Sequence, residues 1–326
     1  MFATSSAARP QMLQQSKCRR RPHAAREHEA MPVFAASDHH VVALATGVSL
    51  GCSILGSGPP VLLWHGFLGN RAAWRHVASM LQDRYTVIVP DMRGYGSSSR
   101  PATGYDGLSL MSDCRALLRH LGYRETHIIA HDMGAAPALL WAATHPGEVL
   151  SLSYVEEPLL TSDVVGTLIR MTPEEARNGG LWWWMLAYAS DMAERLISGH
   201  ERAFVDWFYD SYAAAPDRID NEARECYASD LMQPGGIRGW FGVYRAVFET
   251  IRQTESALRV PVETPILALG GEHSLGSRVG DMLRPIGRDV EVGVIPGSGH
   301  FVPEEKPHEL CRRWLEFVQR HQMEIA

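Results

Sequence analysis

Residues 128–142 read IIAHDMGAAPALLWA, and the fold of the whole chain is decided by how they are read. An apolar run ending at Ala130 gives way to His131, Asp132, Met133 and Gly134, then to an Ala/Leu/Trp pattern of helical character. That order spells strand, sharp turn, helix, with small Ala130 and Gly134 flanking the turn. Small residues are needed there because a tight turn brings backbone against backbone while one side chain is pushed into the open. The side chain so presented is Asp132.

A carboxylate in that place narrows the chemistry. In acyl transfer it would form a reactive mixed anhydride, whereas at a saturated carbon it displaces a leaving group and forms an alkyl ester. Water activated by a histidine then splits the ester. Cleavage of a carbon–oxygen or carbon–halogen bond is the chemistry this residue suits. An Asp at a strand end is also an ordinary helix cap, so the reading needs partners elsewhere in the chain.

The composition sets the bounds. With 326 residues, 45% hydrophobic and nine Trp, the chain can bury a large core, and one α/β domain carrying an insertion fits better than two independent domains. A formal net charge of -6 offers no basic field for nucleic acid and no polybasic patch for a membrane. No apolar run approaches the roughly eighteen residues of a membrane span. The five cysteines (Cys18, Cys52, Cys114, Cys226, Cys311) are scattered without C-x-x-C spacing and read as reduced and metal-free. His127 and His131 have the i, i+4 spacing of a zinc motif, but on a strand they stand roughly 13 Å apart, too far for one metal. No metal or other cofactor is expected.

In chain order, residues 1–31 carry Ser, Ala, Gln and the Arg19–Arg21 cluster with no hydrophobic periodicity. They are expected to be a disordered tail or an extension ahead of a start at Met31. Organelle targeting is the other option, and no apolar secretion segment is present. Val41–Leu55 suggests two short strands turning at Thr46-Gly47. Val61–Trp64 is a buried strand leading into His65-Gly66-Phe67-Leu68-Gly69. Tyr85–Val89 is another, running into a glycine-rich stretch from Asp91 to Ser98 that reads as scaffold. A helix over Ser109–Leu121 precedes the Asp132 turn. Val149–Val155 is a strand ending in Glu156-Glu157-Pro158, where a carboxylate can orient and charge-stabilise a histidine. Glu156 is favoured over Glu157, which would point the other way from an extended backbone, and Glu272 is a third acid to consider.

Residues 159–258 lack strand signals and read as a helical insertion. Thr172-Pro173-Glu174-Glu175 is a capping box with Pro at the first helical position, and Asp191 can start a later helix. Phe204, Trp207, Phe208, Ser211 and Tyr212 form one helical stripe, and Phe241, Tyr244, Val247, Phe248 and Ile251 another. Leu181–Met185 is an aromatic cluster. If buried, the Tyr244 hydroxyl must find a partner, and a substrate oxygen is one candidate beside plain core packing. Strands resume at Pro265–Gly270 and Val290–Ile295, the second running into Pro296-Gly297-Ser298-Gly299-His300 and a C-terminal helix.

Together, His65-Gly66-Phe67, Asp91–Ser98, Ala130–Gly134, Tyr154–Pro158, Val243-Tyr244-Arg245-Ala246 and Gly299-His300 resemble the epoxide hydrolase and dehalogenase branch of the α/β-hydrolases, from about residue 35 onward. The resemblance implies an α/β-hydrolase fold: a mostly parallel eight-stranded sheet flanked by helices, with a helical cap inserted after strand 6. The domains would be a core of residues 32–158 and 259–326 and a cap of residues 159–258. It makes Asp132 the nucleophile, His300 the general base, Glu156 the third member of the triad and Tyr244 the donor to an epoxide oxygen. The amides of Phe67 and Met133 would form an oxyanion hole. His65, His131, Trp182, Trp183, Phe241 and Phe301 are the expected substrate-binding residues.

The departures from the family pattern bear on the substrate. Where the family has a second ring-opening Tyr or His in the cap, Trp182 and Trp183 offer only indoles. Fluoroacetate dehalogenases place arginines after the nucleophile, where this chain has Met133 and Ala136, and haloalkane dehalogenases place a Trp at Met133. An uncharged lipophilic epoxide, hydrolysed to a diol, fits better than a halogenated acid. Dehalogenation by the same Asp is the alternative, and a non-catalytic small-molecule-binding protein on the same fold the more distant one. The expected partner is a small-molecule substrate, with no nucleic acid and no membrane, for a cytoplasmic monomer or homodimer.

Overall fold

The computed structural model describes residue 34 and residues 38–168 and 182–325. The capping box at Thr172–Glu175 and the first residue of the Leu181–Met185 cluster lie outside them.

Apolar residues alternate between two buried faces. Val61 and Leu63 pack into one cluster and Leu62 and Trp64 into another, all fully buried. Strands buried on both sides require a helical layer on each face of the sheet. The sheet has eight strands, β1 (His39–Ala43), β2 (Ser49–Leu55), β3 (Pro60–Trp64), β4 (Thr86–Pro90), β5 (Thr126–His131), β6 (Val149–Val155), β7 (Ile266–Gly271) and β8 (Val290–Ile295), of which the inner ones are buried on both faces. Their order is β1-β2-β4-β3-β5-β6-β7-β8. The pairs β1–β2 and β2–β4 are antiparallel, and the other five are parallel.

Helices Arg75–Leu81 and Pro307–Ile325 cover one face through Val77, Leu81, Trp314 and Phe317. Gly107–His120 and Ala135–Thr144 cover the other through Leu117, Leu139 and Leu140. Asp106 caps the first of these two, accepting from the Ser109 amide at 3.2 Å. The glycine-rich stretch after β4 is held as scaffold. Buried Asp91 accepts from the amides of Arg71 (2.8 Å) and Ser97 (3.0 Å), and Arg93 makes a two-pronged pair with buried Asp113.

From β3 the chain steps outward to β4, then returns past β3 to β5. The carboxyl ends of β3 and β5 therefore flank a crevice where the winding reverses, the place where open α/β sheets put their sites.

Between β6 and β7 the described residues are helical and contain no strand. The two apolar stripes expected there differ in detail. On helix Glu201–Tyr212 the buried positions are Glu201, Val205, Phe208 and Tyr209, while Trp207 is exposed against Trp182. The Phe241–Ile251 stripe is no single helix. It breaks at Ala246 between Gly242–Arg245 and Val247–Ala257, and Phe248 is exposed. Helix Val247–Ala257 packs against Gly107–His120 and Ala135–Thr144, and Thr250 Oγ1 accepts from the Gly107 amide at 3.0 Å.

Candidate active site

The turn after β5 is as tight as its small residues suggest. Asp132 has φ +50°, begins a 3₁₀ turn to Gly134 and leads into helix Ala135–Thr144. A left-handed conformation strains a residue with a side chain by about 1–2 kcal/mol, so its surroundings must hold it there. A Cβ on Gly134 would sit 2.4 Å from the His65 carbonyl oxygen, and one on Gly66 2.3 Å from the Asp132 Cβ. Any larger residue at either place would push the two loops apart.

The loop after β3 closes over this turn. The Phe67 N–H donates to Asp132 Oδ1 at 2.5 Å, and the Met133 amide is directed at the same carboxylate. Leu68 has φ +60°, and its carbonyl accepts from the buried Tyr209 hydroxyl at 2.8 Å.

His300 lies beyond β8 and spans two acids. Its Nε2 is 3.2 Å from Asp132 Oδ2, and its Nδ1 is 3.1 Å from Glu156 Oε2. The loop that carries it is fixed at several points. Glu305 accepts from the amides of Gly299 (3.0 Å to Oε2) and Phe301 (3.0 Å to Oε1), and also from those of Ala214 and Ala215. The His300 amide donates to the Tyr212 carbonyl at 2.9 Å. Behind it, His131 Nε2 donates to the His300 carbonyl at 2.8 Å. Burial, then the charge of His300, pushes His131 down to about 4, so it acts as a neutral brace.

Glu156 is fully buried and fully used. Oε1 accepts from the amides of Gly271 (2.6 Å) and Leu275 (3.1 Å), and Oε2 from the Ser274 hydroxyl (2.6 Å) in addition to His300. Four hydrogen bonds hold this carboxyl in place, and through it aim the imidazole. Glu272, by contrast, is exposed and takes the Gly297 amide.

Electrostatics follow from these contacts. Burial alone would lower His300, yet its hydrogen bonds and charge interactions with Asp132 and Glu156 raise it to about 10. Burial pushes Asp132 up, and the hydrogen bond and charge from His300 more than reverse that, leaving it below its ordinary value. Both shifts favour the paired imidazolium and carboxylate.

A cavity of about 170 Å³ opens onto this pair. Its aromatic walls include Phe67, Trp183, Trp184, Phe208, Tyr212 and Phe301. Tyr244 faces in from helix Gly242–Arg245. Burial, then the charge of Asp132, keeps its phenol protonated well beyond the ordinary range. Trp183 Nε1 donates to the Tyr244 oxygen at 3.1 Å. The indole N–H is thus committed to the phenol, which leaves the phenol's own proton to be given elsewhere. Among the described lining residues none is Lys or Arg.

Of the residues expected to bind substrate, Trp183 and Phe301 line the cavity. The other four lie outside its lining. Buried His65 has both nitrogens occupied, accepting from the Met92 amide and donating to the Gly66 carbonyl, each at 2.9 Å. His131 is the brace described above. Phe241 is buried behind Phe67, with ring centroids 5.4 Å apart. Trp182 is 37% exposed and stacks edge-on with Trp207. Sequence reasoning did not assign Trp184, Phe208, Tyr212, Ser274 or Leu275 to the cavity, although the first three belong to apolar clusters it singled out. Nor did it place Glu157 there. The expectation that Glu157 points away assumed an extended backbone, and Glu156 has φ +52°, which turns the chain so that both acids reach the cavity.

Comparison with known proteins agrees with this architecture. Residues 59–307 match the family model described as alpha/beta hydrolase fold. The chain is 30% identical over 287 residues to a soluble epoxide hydrolase of Corynebacterium sp. (strain C12), covering 85% of this chain and 96% of the relative. It is also 30% identical to a fluoroacetate dehalogenase of Burkholderia sp., covering 83% and 90% respectively. The crystal structure of wild-type Cfl2 from Burkholderia cenocepacia superposes with a TM-score of 0.81 at 29% identity, covering 86% of this chain and 95% of that one. The chain is a hydrolase that belongs to the α/β-hydrolase fold family, in its epoxide hydrolase and dehalogenase branch.

Proposed function

We propose that the protein hydrolyses an uncharged epoxide to a diol through an ester on Asp132. The observation that carries the reading is the chain of contacts Asp132–His300–Glu156 facing a cavity whose opposite wall presents the Tyr244 phenol.

Asp132 attacks the less hindered oxirane carbon, forming a C–O bond as the ring C–O bond breaks. The electron pair goes to the ring oxygen, which takes the Tyr244 proton. Trp183, already donating to that phenol oxygen, stabilises the phenolate as it develops. Once esterified, Asp132 has lost its charge, and with it half of what holds the His300 proton. His300 passes that proton to the phenolate and becomes a base. It then takes a proton from water, whose oxygen attacks the ester carbonyl. The tetrahedral oxyanion is met by the Phe67 and Met133 amides, and a preorganised donor of this kind is worth about 3–4 kcal/mol. Collapse breaks the ester C–O bond, and the departing alkoxide takes the proton from His300 to complete the diol. The Asp132 carboxylic acid, which now holds the water-derived hydroxyl, gives its proton to His300, so that carboxylate and imidazolium are restored.

The lining argues against a halogenated acid. A substrate carboxylate would meet the Asp132 carboxylate, with His300 already shared between Asp132 and Glu156 and no described lining Lys or Arg to offset it.

Incubation with alkyl and aryl epoxides alongside short haloalkanes tests the reading. Diol formation without halide release is expected, and halide release without diol contradicts it. Tyr244→Phe should lower ring opening by about 10²–10³-fold, the range of a lost general acid. Single-turnover decay of the epoxide measures this step separately. Ester hydrolysis, which does not need the phenol to donate, should change far less, so equal losses in both steps would remove Tyr244 from its role.

A further inference from the structure

Glu157 has no task in this mechanism. It follows Glu156 at the end of β6, is 3% exposed, and lines the same cavity as Asp132, His300 and Tyr244. Its Oε1 is buried without a hydrogen-bond partner. The two other acids of the cavity are engaged: Glu156 by two amides, a hydroxyl and an imidazole, and Asp132 by the Phe67 amide and His300. Buried carboxyl oxygens are ordinarily satisfied, and one that is not calls for an explanation in what the protein binds.

We propose that Glu157 is a specificity-determining residue that hydrogen-bonds an oxygen-bearing substituent of the substrate, so that the cavity selects hydroxylated epoxides over hydrocarbon ones. The inference rests on the cavity being the binding site of the proposed reaction.

Charge and chemistry fit that assignment. Asp132 and Glu156 already share one partner, His300, and a further negative charge beside Asp132 would be unfavourable in the same low-dielectric space. Burial, then the Asp132 charge, holds Glu157 protonated well beyond the ordinary carboxyl range. A neutral carboxyl offers one O–H donor and one carbonyl acceptor, the complement of an alcohol. Much of the rest of the lining, Phe67, Leu68, Pro158, Phe208, Leu275 and Phe301, has no polar side-chain atom to compete. A site built to bond a hydroxyl also rejects the analogue lacking it, because the protein's polar group is then left unpaired.

Glycidol and 1,2-epoxybutane have the same number of heavy atoms and differ as CH₂OH against CH₂CH₃, so the ratio of their kcat/KM values isolates the contact. The wild type should favour glycidol by about tenfold or more. Glu157→Gln, which keeps a donor and an acceptor, should retain most of that preference, and Glu157→Leu should abolish it. Because Glu157→Leu removes an orphaned polar group, it should also raise the melting temperature, by about 2–4 °C.

A binding readout separates this inference from the epoxide reading. Tetrahydrofurfuryl alcohol and 2-ethyltetrahydrofuran form an unreactive pair with the same difference, and Trp183 and Trp184 report occupancy by fluorescence. Tighter binding of the alcohol in the wild type, lost in Glu157→Leu, supports the assignment even if no epoxide is turned over. Equal binding of the two ethers by the wild type overturns it, as does a preference unchanged in Glu157→Leu, even if epoxides are substrates. Should Glu157→Leu fail to fold, the wild-type preference alone decides.

Discussion

His300→Gln is expected to stop turnover after one chemical step, with about a 10³-fold or greater fall in steady-state rate and an ester accumulating on Asp132. In the proposed mechanism ring opening needs the Asp132 carboxylate and the Tyr244 proton. Losing His300 weakens the hold on the Asp132 charge, but the Phe67 and Met133 amides still face that carboxylate. Ester hydrolysis needs a base beside the attacking water, and a glutamine amide takes up no proton near neutral pH. Intact-mass measurement after exposure to a terminal epoxide should show the mass of one epoxide added, and peptide mapping should place it on Asp132. Loss of turnover with no added mass would mean that His300 acts before or during ring opening.

The imidazole also links activity and stability to pH. In the free protein His300 is raised to about 10 by Asp132 and Glu156. Its pairing therefore contributes stability that is fully present below the ordinary value of 6.5 and is lost as pH rises through about 10. The wild type should lose stability relative to His300→Gln across that window, measured by thermal melts at intervals of pH. In the ester form one of the two anions is gone, so His300 gives up its proton at lower pH. Hydrolysis-limited kcat should consequently rise with pH until that group is neutral, then level off.

Asp132→Asn is expected to abolish turnover, by about 10⁴-fold or more, while leaving the fold in place. The choice of Asn matters. It matches Asp in volume and is among the residues that best tolerate a left-handed backbone, so the turn at φ +50° and its packing against Gly66 survive. What disappears is the negative charge, and with it both the attacking oxygen and one of the two anions holding the His300 proton. Imidazole resonances followed by NMR should show His300 titrating well below its wild-type value of about 10. Retention of more than about one hundredth of the activity would indicate that water attacks the substrate directly, with Asp132 only orienting it.

Much of this arrangement could be read in the sequence because strong local patterns coincide with tight local geometry. The stretch around Asp132 was legible because a strained turn leaves its mark in the small residues that surround it. Val290–Ile295 was read with its actual ends, since an apolar run closed by Pro296-Gly297 leaves little choice. His300 gained meaning only from its order after that strand. Several of the differences concern where a side chain points at or near the end of a regular element. Glu157 was turned away on the assumption of an extended chain, and the positive φ at Glu156 reverses that. His65 and His131 look like cavity residues by sequence position, yet each is occupied by backbone partners that only the fold brings near. Glu305, which holds the His300 loop through backbone amides, carries no local sign of that duty. In the 159–258 segment, aromatic spacing announced helices but not the break at Ala246, since no proline or glycine stands there.

Everything in the mechanism depends on the new oxygen of the product coming from Asp132 rather than from water. A single turnover in ¹⁸O-labelled water, with enzyme in excess over a terminal epoxide, measures this directly. The expected result is an unlabelled diol and one ¹⁸O in the peptide containing Asp132. A diol that carries the label after one turnover, with Asp132 unlabelled, would contradict the ester.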